Sequence, residues 1–237
     1  MDNKKVDVLA IAPHPDDIEM SCGGTMLKLK AIGYTTAIAD LTAGELGTRG
    51  SREVRDKEAE QAGDILGLSY RVNLDLGDGR LMNNEANRES VIRIIREARP
   101  ELVLAPHRFD NHPDHVQAAD LVKDAFFLAG LRNVLPEIEF HRPKGLMYYM
   151  CRGEFHPTMI IDVTDYFEKK MEAVNAFYSQ LYQENSTEPE TPLSRPEFRD
   201  HLHVRAKFYG KMIGCKYGEP FFTEKPPHIE DPVKIWI

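Results

Sequence analysis

Two short stretches of this 237-residue chain hold most of the side chains able to do demanding chemistry. The first is His14-Pro15-Asp16-Asp17. The second is His107-Arg108-Phe109-Asp110-Asn111-His112-Pro113-Asp114-His115, three histidines and two aspartates within nine residues. Adjacent carboxylates such as Asp16 and Asp17 repel one another unless a proton or a cation lies between them, so the first cluster asks for a metal. Two histidines and a carboxylate with one open position form the ligand set of catalytic zinc, and also of non-haem iron(II). Each residue alone has a plainer use: His14 ends a strand, Asp16 or Asp17 caps a helix, and Asp114 sits favourably in a helical first turn. Caps explain the two clusters together poorly.

The surrounding pattern supplies the scaffold. Val6-Asp7-Val8-Leu9-Ala10-Ile11-Ala12-Pro13 reads as a strand buried on both faces of a parallel sheet and stopped by proline. Ile18, Cys22, Met26, Leu29 and Ile32 then recur at helical steps up to Gly33. The pattern continues with a strand from Tyr34 to Leu41, a helix from Ser51 to Leu66 closed by Gly67, and a strand near Tyr70–Leu74. A helix near Glu89–Arg99 and a strand at Leu102–Ala105 follow. That alternation predicts an α/β, Rossmann-like three-layer fold with a mostly parallel sheet, in which ligands bind at the carboxyl ends of the strands. Both clusters fall at such ends.

A helix opens at Pro113 and runs to Gly130, followed by strands at Leu146–Met150 and Met159–Asp162. Thr164 is expected to cap a helix bearing Phe167, Met171, Val174 and Phe177, and a last helix spans Phe198 to Ile213. Gln183 to Pro196 is polar, proline-bearing and expected to be a mobile loop. The whole of 1–237 reads as a single domain with a C-terminal extension rich in proline and phenylalanine.

Composition narrows the function. Hydrophobic residues make up 42% of the chain, enough for a sizeable core, while 30 Lys and Arg against 38 Asp and Glu give a net charge of −8. That sign disfavours a nucleic-acid partner. No run approaches the ~20 apolar residues of a membrane span and the N-terminus carries no signal-peptide core, so no membrane partner and a cytoplasmic location are expected. The three cysteines, Cys22, Cys151 and Cys215, are too scattered for a disulfide framework and read as reduced, mostly buried thiols. Gly23-Gly24 lack the spacing of a dinucleotide-binding turn.

The sequence resembles the LmbE/PIG-L zinc-dependent N-acetylglucosamine deacetylases. The resemblance rests on Ala12-Pro13-His14-Pro15-Asp16-Asp17-Ile18-Glu19 and His112-Pro113-Asp114-His115. It extends over Leu41-Thr42-Ala43-Gly44-Glu45-Leu46-Gly47-Thr48-Arg49-Gly50 and Gly218-Glu219-Pro220-Phe221. It is nearest the bacillithiol-pathway branch, which deacetylates N-acetylglucosaminyl malate. It implies His14, Asp17 and His115 as ligands of one Zn2+ per chain, with Fe2+ as another candidate. It also implies Asp16 as general base and His112, oriented by Asp114, as a charged catalytic partner. Zinc lowers the pKa of its water toward ~7, and a neighbouring carboxylate can then take the proton.

The expected substrate is a small anionic acetylated amino sugar, with Arg55 reading its carboxylates and Glu45 and Arg49 shaping the sugar pocket or a contact between subunits of a homo-oligomer. Phe198 stands where some relatives carry a tyrosine. His107, His141, His156, His201 and His203 lack ligand-like partners. Two other readings compete. Asp110-x-His112-x-Asp114-His115 resembles the two-metal motif of metallo-β-lactamase-like hydrolases with its first histidine replaced, and a non-enzymatic metal- or sugar-binding module would keep the ligands without needing Asp16.

Overall fold

The computed structural model describes residues 4–231 and 233–235. Strand β1 (Val8–Ala12) is buried along its whole length, as a two-sided apolar run demands. Helix α1 (Asp17–Ala31), β2 (Thr36–Asp40), α2 (Arg52–Leu66), β3 (Tyr70–Asn73), α3 (Glu85–Ala98) and β4 (Leu102–Pro106) follow in the expected alternation. After them come α4 (Pro113–Ala129), β5 (Gly145–Tyr149), β6 (Met159–Asp162), α5 (Phe167–Ala176), α6 (Phe198–Met212) and β7 (Gly218–Phe222). No helix among the described residues is long and apolar enough to cross a membrane.

The seven strands form one sheet in the order β3-β2-β1-β4-β5-β7-β6. The chain steps outward from β1 to β3, then returns to lay β4 on the other side of β1. Val8 is therefore registered with Thr36 on one side and Leu102 on the other, both in parallel pairings. This reversal is the switch point at which open α/β sheets leave a crevice, and the loops after β1 and β4 flank it. Leu9, Ile11 and Val103 pack on one face of the sheet with Val91 and Ile95 of α3 and Leu121 and Val122 of α4. Val8, Ala10 and Leu104 pack on the other with Ile18 and Met26 of α1 and Ala173 of α5. The result is three layers.

Three expectations are corrected. Helix α3 begins at Glu85, four residues before the expected Glu89, because the Asn84 side chain accepts from the Asn87 amide and caps it. Thr164 does not cap α5: it opens a short 3-10 turn whose amide bonds to Asp162, and its hydroxyl accepts from the Tyr217 amide. The C-terminal stretch is no appendage, since β7 inserts between β5 and β6, antiparallel to both.

That inserted strand supports the first helix. Cys22 leaves helical geometry (φ −141°, ψ 22°), so α1 is two helical segments joined at a kink. The second segment begins with exposed amides, and Glu219 of β7 reaches across to accept from Gly24 N (3.0 Å), Thr25 N (2.7 Å) and the Thr25 hydroxyl (2.6 Å). Position 24 must be glycine for this approach: a Cβ there would lie 2.8 Å from Cβ of Val163. Lys170 of α5 completes the arrangement, its ammonium 2.6 Å from the same carboxylate with both side chains buried.

Removing Lys170 would strand a buried carboxylate. Lys170→Ala is expected to cost about 3–5 kcal/mol, read as a lowered urea midpoint at unchanged slope. A loss under about 1 kcal/mol would show that the Gly24 and Thr25 donors alone compensate Glu219.

Candidate active site

The His14-Pro15-Asp16-Asp17 turn leaves β1 at the switch point and starts α1. Asp16 takes a left-handed conformation (φ 109°), a strained geometry that short polar side chains tolerate better than others. The turn directs Asp17 back over the strand end, where its Oδ2 accepts from the His14 amide at 3.0 Å. The same oxygen lies 3.3 Å from Nδ1 of His14 and 3.3 Å from Nε2 of His115, which enters from the first turn of α4. Three residues expected to share a metal are thus brought together on one carboxylate oxygen.

The outer nitrogens of both rings face carboxylates. Nε2 of His14 is 3.1 Å from Asp78 and 3.3 Å from Asp114, and Nδ1 of His115 is 3.1 Å from Asp110. The His14 ring is oriented as in imidazoles that ligate metals, its outer N–H given to a carboxylate and its inner nitrogen facing the ion's place, whereas Nδ1 of His115 is near Asp110 without a hydrogen bond to it. Without a cation the inner nitrogens hold protons. Burial opposes a charge on either histidine, yet Asp114 and Asp17 raise His14 well above its usual value, and Asp17 and Asp110 do the same to His115. Burial alone would raise Asp17, but the two imidazoliums hold it well below the carboxylate range. A divalent ion could replace those protons, so the donor set fits a metal. Among the described residues, donor atoms lie within 4.8 Å of one another in three overlapping groups: His14, His112 and His115; Asp17, His115 and Cys151; His14, Asp78 and Asp114.

Asp16 points the other way. Its Oδ2 is 3.1 Å from Nη2 of Arg55, and burial pushes its carboxyl up to about 7 against the opposing pull of that guanidinium. A base poised near neutrality beside the metal donors suits proton abstraction. Arg55 is not free to read a substrate as expected. It is buried, its guanidinium donating to Asp16 and to the carbonyls of Gly44 and Pro15, while its Nε is buried without a partner. Gly44 permits this: with φ +65°, a Cβ there would sit 2.1 Å from Nη1 of Arg55.

Other assignments change as well. Arg49 is buried against the polar loop, donating to the carbonyls of Ser179 and Pro189 and to the Ser186 hydroxyl, so it anchors that loop. Glu45 accepts from the amides of Ala43 and Asp78 and so fixes the loop that carries Asp78. Asp114 does not orient His112. Its carboxylate accepts from the Gly79 amide (2.7 Å) and faces His14, while Nδ1 of His112 accepts from the backbone amide of Asp114. Burial and the charges of His14 and His115 lower the His112 pKa, which disfavours the expected charged form.

Sequence reasoning assigned no role to Asp78, Cys151 or Arg205, and placed Asp110 only in the two-metal motif. Asp78 lies between Gly77 and Gly79 in the loop after β3, and its carboxyl is depressed to about 2: burial opposes this, but His14 and the Leu46 amide prevail. Two glycines around an aspartate after a strand were its only signal. Asp110 also falls to about 2, held against burial by His115 and the His112 amide. Cys151 and Arg205 belong to segments without any motif.

His14, Asp16, Asp17, Asp78, His112, His115 and Cys151 border a cleft of about 460 Å³ whose walls include Leu46, Thr191, Leu193, Phe198 and Leu202, a size suited to a small molecule. A larger, apolar groove of about 1100 Å³ opens beside Leu102, Phe126 and Leu146 and holds none of the three donor groups.

A parallel sheet with this switch point is not the αββα sandwich of the two-metal reading, and the comparisons agree. The family model PIG-L, GlcNAc-PI de-N-acetylase, matches residues 9–126. Over 227 residues the chain is 32% identical to the diacetylchitobiose deacetylase of Thermococcus kodakarensis, covering 90% of this chain and 80% of that one. The probable N-acetyl-alpha-D-glucosaminyl L-malate deacetylase 2 of Bacillus anthracis, from the branch expected from the motifs, is more distant, at 27% identity over 73% of this chain and 81% of its own. The conserved protein TT1542 from Thermus thermophilus superimposes with a TM-score of 0.87 at 36% identity, over 96% of this chain and 98% of that one.

The Arg55 contacts set a test. Losing a charge-assisted hydrogen bond to Asp16 should lower kcat/KM of Arg55→Ala about ten- to a hundredfold, equally for anionic and neutral glycosides. Removing a cation beside a carboxyl raises its pKa, so the acidic limb of the pH–rate profile should move to higher pH. A loss confined to anionic substrates, with the limb unmoved, would return Arg55 to substrate reading. Matched by the family model over residues 9–126 and 32% identical to a deacetylase over 90% of its length, the chain belongs to the PIG-L family of de-N-acetylases.

Proposed function

We propose that the protein, acting as one domain over residues 1–237, is a metal-dependent hydrolase that removes the acetyl group from an N-acetylglucosamine unit of a small glycoside. The observation that carries this reading is the meeting of His14, Asp17 and His115 on one carboxylate oxygen beside a base, Asp16, in a sugar-sized cleft. The carboxylates behind the two imidazoles, Asp78, Asp110 and Asp114, support those three as ligands, with zinc the ion favoured by the nitrogen and oxygen set.

A divalent metal held there would polarise the acetamide carbonyl and acidify water. Asp16 would take the proton of the attacking water as the new C–O bond forms, and deliver it to the glucosamine nitrogen as the C–N bond breaks, leaving acetate and a free amine. Because Nδ1 of His112 accepts a backbone hydrogen bond, its neutral ring carries the proton on Nε2. That tautomer suits a hydrogen-bond donor to the developing oxyanion.

The aglycone follows from the cations. Arg55 is engaged by Asp16, and both terminal nitrogens of Arg205 donate to carbonyls, of Cys151 and Met20, which leaves Arg152 as the exposed cation of the cleft. One rim arginine favours a neutral aglycone such as a second amino sugar over a dicarboxylate such as malate. The likeness to the diacetylchitobiose enzyme supports the same choice.

Acetate release from metal-loaded protein should be faster on diacetylchitobiose than on N-acetylglucosaminyl malate or free N-acetylglucosamine; the reverse order would move the chain to the malate branch. Asp16→Asn should retain metal and lose about 10²–10⁴ in kcat, and activity within a few-fold of the parent would remove Asp16 as the base. His115→Ala should fail to retain stoichiometric metal by elemental analysis while keeping its circular dichroism. Undiminished metal would take His115 out of the ligand set.

A further inference from the structure

Cys151 lies two residues beyond β5, in a loop that lines the cleft. Its Sγ, a carboxylate oxygen of Asp17 and a ring nitrogen of His115 all lie within 4.8 Å of one another. The sulfur is held there by several groups. The Ser21 hydroxyl donates to Sγ at 3.7 Å. The Cys151 carbonyl accepts from Nη1 of Arg205 at 2.6 Å, and Nη2 of the same guanidinium holds the Met20 carbonyl at 2.7 Å. Arg205 thus ties the Cys151 loop to α1, the helix that carries Asp17. The proposed function assigns the sulfur no task.

We propose that Cys151 is a further donor to the metal, so that the site offers two imidazoles, a carboxylate and a thiolate. The inference rests on the reading of His14, Asp17 and His115 as metal ligands. Binding exchanges the thiol proton for the metal–sulfur bond, the proton passing to solvent, with no change of oxidation state. A thiolate donor selects zinc over magnesium or manganese, which prefer all-oxygen sites. Zinc expands to five donors in catalytic sites, so the sulfur leaves room for the water and carbonyl of the proposed reaction.

Zinc is spectroscopically silent, so the test uses the full chain loaded with Co2+. The parent should show visible ligand-field bands together with a near-ultraviolet thiolate-to-cobalt charge-transfer band. Cys151→Ser should lose the charge-transfer band while Cys215→Ser keeps it. Zinc affinity of Cys151→Ser, measured by competition with a chelator, should fall at least tenfold while Mg2+ binding is unmoved. If bound Co2+ gives ligand-field bands without the charge-transfer band in the parent, the Cys151 inference is overturned and the metal reading stands. If the parent retains no Co2+, both fall. A band that survives in Cys151→Ser places the sulfur elsewhere and overturns the inference. Because the parent spectrum alone can decide against it, the result does not hang on the folding of the variant.

Discussion

Negative charge confined in one place is the constraint around which this molecule is organised. Asp16, Asp17, Asp78 and Asp114 are buried at the mouth of a single crevice, and the side chain of Asp110 is buried beside them. Two unit charges 4 Å apart interact by about 4 kcal/mol at an effective dielectric constant of 20, so such a group cannot persist without positive charge between its members. The protein meets the demand with His14, His115 and Arg55, and it aims backbone amides at the carboxylates: His14 N at Asp17, Leu46 N at Asp78, His112 N at Asp110 and Gly79 N at Asp114. Amides orient without titrating. The imidazoles titrate, and under the proposed function they exchange their protons for a metal.

The sheet order is what allows the charges to be gathered. With β4 returning to lie beside β1, the loops after these two strands open on the same crevice, and the loops after β2 and β3 supply Glu45 and Asp78 from one flank. Arg49 and Arg55 sit between these layers: one fastens the loop that forms a wall of the cleft, the other bridges the strand-end turn and the glycine loop. Both arginines serve the shape of the site from within the protein.

This division explains what was legible in the sequence. Strands and helices of the first half were readable because each carries an apolar period and a glycine or proline stop. The two clusters were readable because histidines and aspartates rarely crowd together at strand ends. Their assignment to partners was not. Asp114 follows His112 by two residues, yet the start of α4 turns its carboxylate toward His14, and only three-dimensional closure sets Asp78 against the same ring. Arg55 looked like a surface reader of anions because a helix-face arginine has no sequence signal for burial. Strand β7 was missed since Gly218-Glu219-Pro220-Phe221-Phe222 alternates weakly and contains a proline, tolerated here where the antiparallel pairing is short.

The dependence of α1 on Glu219 links the two ends of the chain. The helix that bears Asp17 is made among the first residues, but the carboxylate that covers the amides at its kink belongs to the last strand of the sheet. The amides at the α1 kink have this carboxylate only where Gly218–Phe222 lies between β5 and β6. The turn that bears Asp17 is therefore braced by a strand some two hundred residues further along the chain, and a change in β7 is felt at the strand ends through α1.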